Sequence, residues 1–441
     1  MHSLLLTVAL ALQPPGEDPA LLVVVPRALR AELGAFVAFK RTQMSVEVAV
    51  LEDLLAIQPG VDDPERIKHF LFERWHAGVR YVLLVGDVGV MPTRFMTLDR
   101  CTPEAFDQAF YPSDLYYADL ARRDGSFEDW NAAHEGYHAG YFGEVQGEKH
   151  KDGVIDFDRV DYLPEIAVGR WPVRNAAELA RIARKSVLAE KERLAETGLP
   201  RTLMLHCDGW VDMRGRMDAM ATRLDGQSEV IKLYDGTAEP PRDAAVAARI
   251  RTGVDLILHS GHGDPGGLHA SLRDHTLLKI DEPPCLPVIL SIGCSTAVIG
   301  PQPPYEAYLD VDGVTHRGTN SGEVFTAPPP PPATLQPTAF DQTSTAERSL
   351  RECDGGAVAW IGCDTGAQPC AFTLMEGFTD ALARPGPRRL GECWAFAVSA
   401  YYEREHLAEL KPNADWYPPS IFFQGMKFVL LGDPTLHLRA R

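Results

Sequence analysis

The 441-residue chain has no apolar run long enough to span a bilayer. It has no basic excess either: 43 Lys and Arg stand against 61 Asp and Glu, a net charge of −18. Nucleic acid needs a basic surface, so that partner is argued against. None of the 8 cysteines forms a CxxC pair, so a zinc ribbon is not indicated. A helical HExxH is missing, and no internal tandem repeat is found.

What is present reads as a soluble globular chain, 45% hydrophobic and 24% charged. Its length suggests two α/β units of average size. The N-terminus carries an apolar run from Leu4 to Leu12, broken only by Thr7, and small residues at Ala9 and Ala11. That is the h-region length of a secretory signal, without Lys or Arg before it. Residues 1–20 are therefore read as a signal peptide or N-terminal extension of a secreted or periplasmic protein, with a cytoplasmic protein as the alternative. The even cysteine count permits disulfides after export. Cys363 and Cys370 are spaced to close a small loop, although sequence does not fix pairing.

After residue 20, short apolar runs alternate with helical spacing. Leu21–Val25, Val46–Leu51 and Tyr81–Val85 read as strands, and Asp63–Gly78 as a helix with Ile67, Phe70, Leu71 and Trp75 on one face. The alternation implies mainly parallel sheets covered on both faces, a three-layer αβα arrangement. Residues 101–161 lose periodicity and read as a binding loop. A long amphipathic helix over Ala176–Glu196 precedes Gly198-Leu199-Pro200, where the boundary between a unit at 21–198 and one at 199–441 is placed. Residues 301–345 read as a proline-rich insertion; Pro328–Pro332 is expected to be exposed polyproline II. The closing KFVLLGDPTLHLR reads as a strand pair around a Gly-Asp-Pro turn.

The chemistry concentrates between Val254 and Gly300. Two buried-strand runs, Leu256–Leu258 and Pro287–Ile292, each end in a glycine-flanked reactive residue: His262 in HSGHGD and Cys294 in SIGCST. In a parallel sheet, ligands collect beyond the carboxyl ends of the strands. Glycine lets the backbone turn sharply and approach a substrate. A histidine and a cysteine there form a base and a nucleophile, which points to a cysteine hydrolase, most simply a peptidase. Each residue alone also has a bland reading, since buried cysteines are mostly small hydrophobes and loop histidines mostly structural.

Seven ordered signatures add a resemblance: YVLLVGD (81–87), SDLYYADL (113–120), PEIAVGRWPV (164–173), SGHGD (260–264), SIGC (291–294), GGAVAWIG (355–362) and VLLGDPTL (429–436). Together they resemble the gingipain-type cysteine peptidases, family C25, which have a caspase-like fold. The resemblance implies two caspase-like, doubly wound α/β subdomains with the catalytic pair in the second. It assigns Cys294 as nucleophile, His262 as catalytic histidine, and the backbone N–H groups of Gly263 and Cys294 as oxyanion donors. Asp114 in SDLYY is the candidate to orient His262; a turn or helix-cap aspartate is the competing reading. Arg-cleaving relatives bind the guanidinium with an aspartate, and Asp161, ahead of the VGR core, matches that place. The loop after GGAVAWIG, CDTGAQPC, lacks a tryptophan that well-known members place near the specificity pocket.

The reading calls for peptide or protein substrates, no cofactor, no metal, no nucleic acid and no membrane partner; oligomeric state is left open. Two rivals stand. An inactive caspase-like binding or adhesion module would leave Cys294 no more reactive than the other cysteines. A metal-dependent hydrolase would use His259, His262, Asp264, His269 and His275, which lie close in sequence.

Overall fold

The computed structural model describes residues 20–97, 110–128, 130, 142–143, 162–208, 211–281, 283–304, 306–325, 330, 332–333, 336, 343–386, 388–410 and 417–438. The leader reading, Cys101 and Asp161 lie outside them. Ten strands form one sheet: β1 (Ala20–Val25), β2 (Val46–Val50), β3 (Val79–Val85), β4 (Ala167–Trp171), β5 (Arg201–His206), β6 (Glu229–Tyr234), β7 (Leu256–Ser260), β8 (Val288–Ser291), β9 (Ala359–Cys363) and β10 (Phe428–Leu431). Their order is β2-β1-β3-β4-β10-β9-β8-β7-β5-β6.

Parallel pairing links β2, β1, β3 and β4 on one side, and β9, β8, β7, β5 and β6 on the other. β10 joins the two groups: it runs antiparallel to β9 and meets β4 through a Leu431–Arg170 pair. The sheet is thus continuous. The sheet's last strand in sequence, β10, sits in its middle and does not fold back on the segment that follows. His437–Leu438 pairs instead with Arg388–Arg389. The expected strand pair around Gly-Asp-Pro is therefore corrected, because each arm finds a partner distant in sequence.

Period-2 alternation splits each strand between two cores. Leu22, Val24, Val82 and Leu84 face one layer, and Leu21, Val23, Leu83 and Val85 the other. The first layer packs α1 (Asp63–His76), α2 (Arg214–Arg223), α3 (Phe372–Leu382) and α4 (Leu390–Arg404). The second takes Leu179, Ile182 and Ala183 of the Ala176–Ala195 helix and Val246, Ala247 and Ile250 of Asp243–Arg251. Two of the long helices, Asp63–His76 and Ala176–Ala195, start where the sequence provides caps. Asp62 accepts from the Glu65 N–H and Asn175 from the Glu178 N–H, each at 3.0 Å, satisfying donors that the first turn leaves open. Lys185, mid-helix, donates to the carbonyls of Ser349, Leu350, Cys353 and Gly355, fastening that helix to the turn before β9.

The 301–345 segment is less irregular than its composition suggests. Tyr308–Leu309 and Thr315–His316 pair antiparallel around a turn capped by Asp310. Pro332 is buried and bridges Asp310, so this end of the proline run lies on the hairpin instead of standing exposed.

Candidate active site

β7 and β8 are neighbours in register, with His259 opposite Ser291, so their carboxyl-terminal loops emerge side by side. The glycines in those loops are required by how closely they approach. A Cβ on Gly263 would stand 2.4 Å from Thr296 Cγ2 and 2.8 Å from the Cys294 carbonyl oxygen. One on Gly293 would stand 3.0 Å from the Gly263 nitrogen. No side chain fits either position without separating the loops. The segment carrying His262 is thereby laid against the one carrying Cys294, and the Gly263 and Cys294 amides come with it.

Ser295, next to the cysteine, has a φ of +51°, a left-handed conformation that is rare for a non-glycine residue. Its N–H donates to the Thr365 carbonyl at 2.7 Å, and the Ala297 N–H donates to the Cys363 carbonyl at 3.0 Å. The turn after Cys294 is therefore held by the loop after β9. That loop is anchored in turn by Asp364, whose buried carboxyl accepts from the Ile299 N–H at 2.8 Å. Burial holds the Asp364 carboxyl well above its ordinary range.

Cys294 is half-buried, and its sulfur faces the Ala367 carbonyl at 3.6 Å. Burial pushes its thiol up, while the Ala367 contact and the Lys427 ammonium pull it back only in part. A thiol so placed needs a base to become a nucleophile. His262 is also half-buried, and its ring meets His269 edge-on with centroids 6.3 Å apart.

His259 serves a different purpose. It is fully buried, and its Nδ1 lies 2.9 Å from Ser291 Oγ. Ser291 Oγ also accepts from the Gly293 N–H at 3.1 Å, so one hydroxyl ties the ring to the turn before Cys294. Burial holds the pKa of the imidazole down to about 3, so the ring is neutral near pH 7. This pair braces the two strand ends directly beneath the reactive loops. Asp264 is taken up by Arg273 through two bonds of 2.7 and 2.8 Å, and His275 lies between Asp243 and Asp274. Among the described residues, no three His, Cys, Asp or Glu groups form a metal-binding set.

Asp114 is bound up within the fold. Its carboxylate accepts two 2.7 Å bonds from Arg170 and one of 3.2 Å from Thr93, all buried. Its hydrogen bonds thus go to Arg170 and Thr93, not to the His262 ring. Sequence reading did not single out Arg170, Ser291 or Lys427. Each stands in a stretch whose apolar neighbours mark a strand, and only a charge or hydroxyl inside such a stretch could have signalled it.

A sequence model of peptidase family C25 matches residues 14–439. The chain belongs to that family. As a family C25 member it is a cysteine-type peptidase. Among solved structures it is similar to the Arg-specific cysteine proteinase gingipain R (RgpB), at 14% identity and a TM-score of 0.61, over 96% of this chain and 79% of that one. It is also similar to the complex of Porphyromonas gingivalis RgpB pro- and mature domains, at 15% identity and a TM-score of 0.60, over 95% of this chain and 79% of that one. At such identities the likeness concerns the fold: the C25 chain described here shares the gingipain α/β architecture. Nothing matches among curated protein sequences.

Proposed function

We propose that this C25 peptidase is an endopeptidase in which Cys294 attacks the peptide carbonyl and His262 moves the proton. The supporting observation is the glycine-to-glycine contact of the β7 and β8 loops, which lays the segments carrying His262 and Cys294 against each other. His262 takes the thiol proton as sulfur bonds to the carbonyl carbon. The oxyanion formed is met by the amides of Gly263 and Cys294, donors each worth about 3 to 4 kcal/mol in comparable sites. The C–N bond then breaks, His262 returns the proton to the leaving amine, and water hydrolyses the thioester.

Asp114 is assigned a structural part, since Arg170 takes both of its oxygens. For specificity, cleavage after Arg or Lys is proposed, with Asp161 as the anionic contact. The similar solved proteinase is described as Arg-specific, and Asp161 precedes β4 closely. A partly desolvated carboxylate gains charge-assisted bonds from a cationic side chain and disfavours apolar ones. The test is kcat/KM for matched substrates ending in Arg, Lys, Asp or Leu, in wild type and Asp161→Ala. Preference for Leu or Asp, or an unchanged basic preference in Asp161→Ala, sinks the specificity assignment and leaves Cys294 and His262 untouched. Export is proposed from the Leu4–Leu12 run, and N-terminal sequencing of secreted protein checks it.

A further inference from the structure

β10 enters the sheet from an unexpected direction. It is antiparallel to β9, so its first residue, Phe428, stands opposite Cys363, the last residue of β9. β9 is parallel to β8, so this is also the edge from which Cys294 emerges. Lys427, just ahead of Phe428, is therefore delivered to the reactive edge from the far end of the sequence. Its carbonyl accepts from the Asp364 N–H at 2.8 Å, which fixes its backbone to the loop that holds Ser295 and faces Cys294.

The Lys427 side chain is 6% exposed. Its ammonium lies 5.7 Å from the centre of the Tyr111 ring, and the groups that favour its charge are the thiols of Cys363, Cys370 and Cys294. Lys40 meets Asp433 at 2.7 Å, and Lys185 is satisfied by four carbonyls. Lys68 also lies over a tyrosine ring, but the groups that favour its charge are the carboxylates Asp119, Glu128 and Glu165. Among the described residues no carboxylate pairs with Lys427. A buried ammonium is costly unless an anion answers it. The candidates for that anion are few. The Tyr111 hydroxyl is pushed well above its ordinary range by burial, the Asp364 carboxyl accepts from the Ile299 N–H and forms no ion pair with Lys427, and Cys363 and Cys370 are buried thiols. Cys294 is the half-exposed thiol, beside a loop that carries a histidine.

We propose that Lys427 is the counter-cation of the Cys294 thiolate, a positioning residue that acts through the nucleophile and stabilises it once His262 has taken its proton. This rests on the assignment of Cys294 as nucleophile and deepens it. The electrostatics agree in sign: burial dominates both groups, raising the thiol and lowering the ammonium, and each group draws the other toward its charged form.

The test is the pH dependence of iodoacetamide alkylation at Cys294, located by peptide mass mapping in the full chain, beside the pH profile of kcat/KM. Lys427→Met should move the alkylation midpoint upward by about one pH unit, which makes alkylation about tenfold slower below it. Lys427→Arg should restore most of the rate. A folded Lys427→Met protein with the wild-type midpoint overturns the proposal. If Lys427→Met does not fold, Lys427→Gln replaces it with the same two outcomes. A purely structural role would lower stability without moving the midpoint, so that result also overturns it. A Cys294→Ala enzyme that still hydrolyses peptides would remove the nucleophile assignment and this role together, whereas an unmoved midpoint removes Lys427 alone.

Discussion

Two parallel strand pairs in this sheet end in very different ways. Beyond β3 and β4 the ionisable groups are buried and matched inside the protein. Asp87 is held by Arg174 and lies 3.6 Å from Arg351, and Asp114 is gripped bidentately by Arg170. Beyond β7 and β8 stand a half-buried histidine and a half-buried thiol that faces a carbonyl at 3.6 Å. The two regions touch, since a Cβ on Gly300 would lie 3.0 Å from Val88 Cγ2. Placement at a strand's carboxyl end therefore does not by itself make a residue reactive. A charge answered within the fold holds structure together, and a thiol left only partly answered is available for chemistry.

The sharpest break of that contrast is Cys294→Ala. Peptide hydrolysis should fall at least about 10⁴-fold while circular dichroism and the unfolding midpoint stay at wild-type values. His262→Ala should cost nearly as much, and the double variant little more, because the two residues act as one unit. On the matched side, Arg170→Met should leave Asp114 buried without its cation and lower stability by about 3 to 5 kcal/mol in denaturant titrations. Asp114→Asn keeps one acceptor and should cost less. With either variant held under folding conditions, Cys294 labelling and turnover per folded molecule should be unchanged. A folded Asp114→Asn enzyme with slow turnover would restore the orienting role.

Gly263→Ala probes how the two reactive loops meet. The added methyl would fall within 2.8 Å of the Cys294 carbonyl oxygen, so the loops must part by some tenths of an ångström. Activity should drop about 10²-fold, as expected when reacting groups are displaced, with a smaller loss of stability. Gly226→Ala, where nothing lies within 4 Å although φ is +71°, is the control for backbone strain without crowding.

Much of this was legible from local pattern. Apolar runs marked β1, β3, β7 and β8 because buried parallel strands need continuous hydrophobic residues. Glycines beside His262 and Cys294 marked sharp turns open to a substrate, though not the contact of the two loops with each other. What stayed hidden depends on pairing across long separations. Arg170 and Asp114 lie 56 residues apart, and nothing near either names the other. β10 was visible as a strand, but its central position and its antiparallel match to β9 were not, which is why Lys427 reads as an ordinary strand-edge cation. The hairpin at Tyr308–His316 was obscured by strands only two residues long.

The smallest expected effect concerns the brace beneath the site. His259 is neutral in the fold, its pKa held down to about 3 from 6.5 by burial, with His206 and His262 adding to the shift. An unfolded chain protonates this ring below about 6.5, so as pH falls from there toward 3 the unfolded state takes up a proton that the folded state refuses. Stability is thus intact above the unfolded value and lost on acidification, by about 1.4 kcal/mol per pH unit within that window. His316 has the opposite sign. Burial alone would lower it, but Asp310 at 2.8 Å and Glu323 at 2.9 Å raise it, so its contribution is full below 6.5 and lost only as pH rises through its folded value. Glu190, held down to about 2, acts below its ordinary 4.5. Between pH 6.5 and 5, therefore, the His259 slope stands apart from these two. Unfolding free energies measured across that interval should fall more steeply for wild type than for His259→Gln, which cannot be protonated and keeps a polar group facing Ser291. Parallel slopes in the two proteins would show that the buried ring is not what makes the strand ends acid-sensitive.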